Sequence, residues 1–217
     1  MTTVLPQLKT FDEFIAWYPE QSEYSYELHN GVIVEVPKPT GKHSEIGGFL
    51  ALELGLLFRQ QKSPYLIPKE CLIKSADQTG YEPDVIVLTR DFLALETRWQ
   101  RESVITQGAT VALAIEIVST NWRDDYGWKV NDYETLGIQE VWLVDYQGLG
   151  GIRYIGSPKQ PVISIYSLTD SLTDSLTDNL TGGEYLVNQF RGSELLRSPS
   201  FPELNLTANQ IFQAGII

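Results

Sequence analysis

Residues 114–120 read AIEIVST, a short apolar strand with a single carboxylate, Glu116, at its centre. Side chains alternate across a strand, so if Ile115 and Ile117 face one side, Glu116 and Val118 face the other. A carboxylate among such neighbours is costly to bury alone, which leaves solvent, a partner or a metal ion as its surroundings. Outward from this point the pattern continues. The strand extends back to TVALAIEIVS, a helix is expected from about Asp124 to Leu136 with Gly137 as its stop, and EVWLVD follows as another strand. Strand, helix and strand in that order suggest a βαβ-like unit with charged residues at strand ends. Upstream, ECLIKS and PDVIVL read as strands around a turn at DQTG, and downstream GIRYI and PVISIYSL are expected to add antiparallel strands.

Nearer the N-terminus, TFDEFIAWY predicts a short helix capped by Thr10, with Glu13 completing a capping box and Pro19 ending it. YSYELHNGVIVEV predicts a hairpin about Asn30-Gly31, a pair suited to the positive φ angles of a tight turn. From Ser44 to Gln61, apolar residues recur at near-helical spacing and predict a long amphipathic helix. TANQIFQAG predicts a last short helix capped by Thr207. The repeat SLTDSLTDSLTDNLTG, residues 167–182, reads as a low-complexity surface insertion or hairpin extension. Its Asp170, Asp174 and Asp178 lack the dense oxygen ligands and glycine-assisted turn of a calcium loop.

With 217 residues, 42% of them hydrophobic, the chain is expected to form one domain over 1–217 with a core of its own. A single cysteine, Cys71, and an N-terminus without signal-peptide character favour a reduced, cytoplasmic setting. No apolar run is long enough for a membrane span. Sixteen Lys plus Arg against 28 Asp plus Glu give −12, which repels phosphate backbones unless basic residues gather locally. Arg90, Arg98, Arg101 and Arg123, with Lys38 and Lys42, are candidates for that local charge or a scattered solvated surface. Tyr126, Trp128 and Tyr133 are candidates for base stacking or for packing of the helix on the sheet.

The chemistry rests on a second acid. Asp84 opens the strand PDVIVL, 32 positions before Glu116, and the two carboxylates converge if their strands are neighbours. Two hard oxygen ligands, with water and a phosphate oxygen, suit Mg2+ (or Mn2+) and the hydrolysis of phosphodiesters. Such a pair needs a positive group to orient water and neutralise charge. Val118 occupies the position that would share the face of Glu116, whereas Lys129 lies 13 residues downstream on the following helix. The plainer alternatives are a strand-edge turn for Asp84, a structural ion pair for Glu116 and a solvated helix position for Lys129.

The ordered series YELHNGVIVEV, KHSEIGGFLALEL, PDVIVL, AIEIVST and DDYGWKVNDYETLGIQEVWLVD resembles the Uma family of restriction-endonuclease-like proteins, in the PD-(D/E)XK nuclease superfamily. The likeness spans about residues 10–155 and, more weakly, SPSFPELNLTANQIF. It implies an α/β (α+β) fold with a central mixed sheet flanked by helices. It also implies Asp84 and Glu116 as metal ligands, with the Ile117 carbonyl as a further one, and catalytic Lys129 displaced onto the helix from the superfamily's usual place at Val118. Glu27 and His43 fall in matching stretches and are expected as site residues, Glu27 facing the same cleft and His43 just before a helix start. The expected activity is a metal-dependent endonuclease acting on nucleic acid, with DNA preferred, and a homodimer is allowed. The alternative is a nuclease-like fold kept as a binding or regulatory module.

Overall fold

The computed structural model describes residues 7–19, 23–169 and 183–216. Most of the tetrapeptide repeat, including Asp170, Asp174 and Asp178, lies outside the described residues. Helix α1 (Phe11–Trp17) has the expected capping box between Thr10 and Glu13. Strands β1 (Ser25–His29) and β2 (Val32–Val36) form the expected hairpin, with Asn30 at φ 48° and Gly31 at φ 82°. Helix α2 (Gly41–Gln61) starts three residues earlier than the periodicity predicts, because the Thr40 hydroxyl accepts the His43 N–H and caps it. His43 therefore stands inside the first turn rather than ahead of it.

Strands β3 (Tyr65–Leu66), β4 (Leu72–Ala76), β5 (Thr79–Tyr81) and β6 (Val85–Thr89) follow. Two single-turn helices, α3 (Arg90–Leu93) and α4 (Trp99–Glu102), lead to β7 (Val104–Ile105) and β8 (Val111–Ile117). A π-helical turn, Asp124–Lys129, runs directly into α5 (Val130–Leu136), which Gly137 ends at φ 82°. Then come β9 (Glu140–Asp145), α6 (Ile152–Ile155), β10 (Val162–Leu168), β11 (Tyr185–Phe190) and α7 (Ala208–Phe212). The expected strand at GIRYI is instead the single turn α6 between Gly151 and Gly156. PVISIYSL is a strand as expected and pairs antiparallel with both β9 and β11.

The strands form two sheets, β2-β1-β5-β4-β7 and β11-β10-β9-β8-β6-β3. In the larger one β8 and β9 are parallel, joined by the π turn and α5, while β6 runs antiparallel to β8. One face of this sheet packs under α2 and α7 through Ile115, Ile117, Trp142, Leu50, Leu54 and Ile211. The other face, with Ala114, Val118, Val141 and Leu143, meets α5 and the smaller sheet through Tyr133, Ile73 and Tyr81. Buried on both faces, β8 and β9 read as nearly continuous apolar runs, as a parallel pair must. Among the described residues no helix is long and apolar enough to cross a membrane.

Candidate active site

The register of the large sheet brings the two acids together. Val85 pairs with Ile115 and Ile86 with Ala114, so the next step of the same antiparallel ladder sets Asp84 against Glu116. The Asp84 Oδ2 accepts the Ile117 N–H at 2.7 Å, which ties the start of β6 to the residue after Glu116. The alternation read from AIEIVST holds. Ile115 and Ile117 enter the core under α2, while Glu116 turns to the opposite face with Val118 and is 3% exposed.

What meets Glu116 there comes from the helical connection. The wide π turn and the helix after it place Asp125, Lys129 and Tyr133, four residues apart, on the side facing the sheet. Lys129 Nζ lies 3.0 Å from Glu116 Oε2, 3.0 Å from Glu27 Oε1 and 3.8 Å from Asp125 Oδ1. The Tyr133 hydroxyl donates to Glu116 Oε1 at 2.7 Å, so both oxygens of that carboxylate have partners. Glu27 arrives from the smaller sheet. Its Oε1 also accepts the Glu82 N–H at 3.1 Å and its Oε2 lies 2.8 Å from His29 Nε2. From the first turn of α2, His43 Nε2 reaches to 3.4 Å from Asp84 Oδ2. The five residues singled out in the sequence thus fall into two groups, Glu27, Glu116 and Lys129 in one and His43 and Asp84 in the other, joined where Asp84 accepts the N–H of Ile117, the residue after Glu116.

Sequence reasoning passed over Asp125, His29 and Glu82, and weighed Tyr133 for stacking or packing rather than as a partner of Glu116. The spacing of four through Asp125, Lys129 and Tyr133 was a usable signal, although Tyr133 also packs on Tyr81 at 5.9 Å between ring centroids. Tyr126 and Tyr133 are buried packing residues, while Trp128 is 58% exposed. Of the cations considered for local charge, Arg98 is paired with Asp12 and Glu102, and Lys42 with Glu45.

One ammonium meets three carboxylates, with Asp84 acting from further off, and the surplus negative charge is visible in the protonation equilibria. Burial, reinforced by Asp125, Asp84 and Glu27, raises Glu116 well above the usual range despite Lys129. Asp125 is pushed up to about 6 by burial against the pull of Lys129. Burial would lower Lys129, but Glu116, Glu27 and Asp125 outweigh it and hold the ammonium charged. Burial likewise opposes a charged His43, yet Asp84 and the Ile117 backbone raise it. Glu27 is drawn down to about 2, because Lys129 and His29 overcome the effect of its burial.

Among the described residues no three His, Cys, Asp or Glu side chains form a ready-made metal cluster, and Lys129 Nζ lies among Glu116, Glu27 and Asp125. The donor set nevertheless fits a hard divalent cation. Asp84 and Glu116 are adjacent oxygen donors, Asp84 uses Oδ2 alone in its contacts with Ile117 and His43, and the centre carries excess negative charge.

The Uma2 family model, described as "Putative restriction endonuclease", matches residues 11–209. A solved crystal structure of "a putative nuclease belonging to DUF820" from Anabaena variabilis superposes with a TM-score of 0.68 at 19% identity, covering 96% of this chain and 99% of that one. That likeness is one of fold. No curated protein matches the chain.

Proposed function

Because the chain belongs to the Uma2 family of restriction-endonuclease-type proteins, we propose that it is a metal-dependent endonuclease that hydrolyses phosphodiester bonds, with DNA as its substrate. The observation that carries this reading is the register-matched pair Asp84 and Glu116, backed by a buried, charged Lys129. In this reading Asp84 and Glu116 hold Mg2+ or Mn2+, with the Ile117 carbonyl as a further oxygen donor. The cation would activate a water and neutralise charge on the phosphate.

The chain's own residues divide the remaining work. The carboxylates around Lys129 raise it above the ordinary range and favour its ammonium form. Its role is to orient the attacking water by donating a hydrogen bond and to stabilise charge developing on the phosphate. Glu27 and Tyr133 act through others: Glu27 fixes the ammonium from the smaller sheet, and Tyr133 fixes Glu116 Oε1. His43, at the N-terminal turn of a long helix beside Asp84, is placed to donate to a phosphate oxygen.

Purified protein incubated with DNA and RNA substrates and Mg2+ or Mn2+ should cleave, and Asp84→Ala should reduce the rate by at least a hundredfold. Equal cleavage by wild type and Asp84→Ala would overturn the assignment. One observation favours a second reading, that of a non-hydrolytic binding module: Lys129 already satisfies Glu116 Oε2 where a cation would approach. Calorimetric titration with Mn2+ separates the two, since a module that does not turn over shows no binding that Glu116→Gln abolishes.

A further inference from the structure

Next to this acidic centre the molecule gathers the opposite charge. Trp122 and Arg123 immediately precede the π turn, and the Arg123 guanidinium lies 4.5 Å from the Trp122 ring centroid. Lys159 Nζ lies 5.8 Å from the same ring, and its ammonium donates to the Leu149 carbonyl at 2.9 Å. Trp122 meets Tyr154 edge-on at 6.3 Å, and the Arg153 guanidinium sits 5.4 Å from the Tyr154 ring. Behind them Tyr154 stacks at 5.0 Å on Tyr126, a residue of the π turn itself. Gly151 makes room for this arrangement, because a Cβ there would come within 3.0 Å of the Trp122 ring.

Arg123, Arg153 and Lys159 are exposed, and none has a carboxylate partner among the described residues. The nearest acid in sequence, Asp124, is half-buried. Cations resting on ring faces are pre-positioned while their N–H donors stay available. In a chain of net charge −12 such a cluster is a local reversal of the field, and a polyanion is the partner that it complements.

We infer that Trp122, Arg123, Arg153, Tyr154 and Lys159 form a docking surface for the sugar-phosphate backbone of the nucleic-acid strand that flanks the scissile bond. The inference rests on the nuclease reading of the Asp84–Glu116 centre. Arg123 stands immediately before the π turn that ends at Lys129, so a single turn of chain links the surface to the reaction centre. The surface grips phosphates beside the reaction, and it reads backbone rather than base sequence.

Fluorescence anisotropy with labelled single-stranded and duplex DNA, in EDTA so that nothing is cut, tests this. The Arg123→Ala/Arg153→Ala double variant should bind more than tenfold more weakly than wild type. Its log–log salt dependence should be shallower by about 1.4 to 1.8, or about 0.7 to 0.9 for each lost cation. Arg59→Ala/Lys62→Ala, at the far end of α2, should leave both quantities unchanged. Unaltered affinity and slope in the first variant overturn the docking surface, and so does a wild type that binds neither DNA. A parallel cleavage assay with Mg2+ keeps the two claims apart. Wild-type cleavage with unchanged binding by the variant sinks the surface alone, whereas patch-dependent binding without cleavage sinks the nuclease reading and leaves the surface.

Discussion

Glu27 shows how one residue's protonation ties the site to the stability of the fold. Its carboxyl falls from 4.5 to about 2, with burial opposing and Lys129 and His29 prevailing. A group depressed on folding stabilises fully above its unfolded value, and that contribution is lost as pH falls from about 4.5 towards 2. At 1.36 kcal/mol for each pH unit this amounts to about 3 kcal/mol. Asp125 has the opposite sign: raised from 3.8 to about 6, it costs stability as pH rises across that interval. Urea titrations from pH 7 to pH 2 should therefore show an acid-side loss that Glu27→Gln flattens below pH 4.5, and an equally steep loss in the variant contradicts the pairing. How far these residues were legible follows from where their partners lie. Asp84, Glu116 and Lys129 could be found because strand alternation and the following helix are local patterns. The Glu27–Lys129 contact joins elements 102 positions apart in the chain, and no local periodicity encodes such a meeting.

At the scale of elements, the connection between β8 and β9 does most to build the site, and its seat is Gly108, in the turn that leads into β8. A Cβ on Gly108 would stand 2.1 Å from the Leu136 carbonyl oxygen and 2.7 Å from the Gly137 carbonyl carbon, so the end of α5 rests directly on that backbone. Gly108→Ala should push α5 away and carry Lys129 and Tyr133 with it. The expected cost is about 1 to 3 kcal/mol, read as a lower melting temperature together with slower cleavage. Unchanged melting would show that the contact yields freely. The helix itself and its Gly137 stop were legible from the sequence, whereas the π-helical turn that precedes it, with Asp125, Tyr126 and Lys129 buried, was not, since a single widened turn has no periodic signature of its own. GIRYI misled for a different reason: its β-branched and aromatic residues favour a strand, but Gly151 and Gly156 confine it to a single helical turn.

Across the whole molecule, the same contacts that make the site also join the two sheets. Lys129 holds Glu27 of the smaller sheet and Glu116 of the larger one, and the Tyr81 hydroxyl, from the smaller sheet, donates to Asp132 of α5 at 2.7 Å. Ile73 and Tyr81 share one buried cluster with Ala114, Val118 and Leu143. Neither sheet can open along this seam without exposing that cluster and parting buried Glu27 from Lys129, which costs several kcal/mol. We therefore expect residues 1–217 to unfold as one domain. The tryptophans report on both parts, with Trp17 against Tyr26 of β1 and Trp142 within β9. Urea unfolding followed by tryptophan fluorescence and by far-UV circular dichroism should give coincident single transitions. Two resolved steps, with the smaller sheet melting first, would show instead that the seam is too weak to couple them, and a site built across it would then form only in the fraction of molecules with both sheets folded.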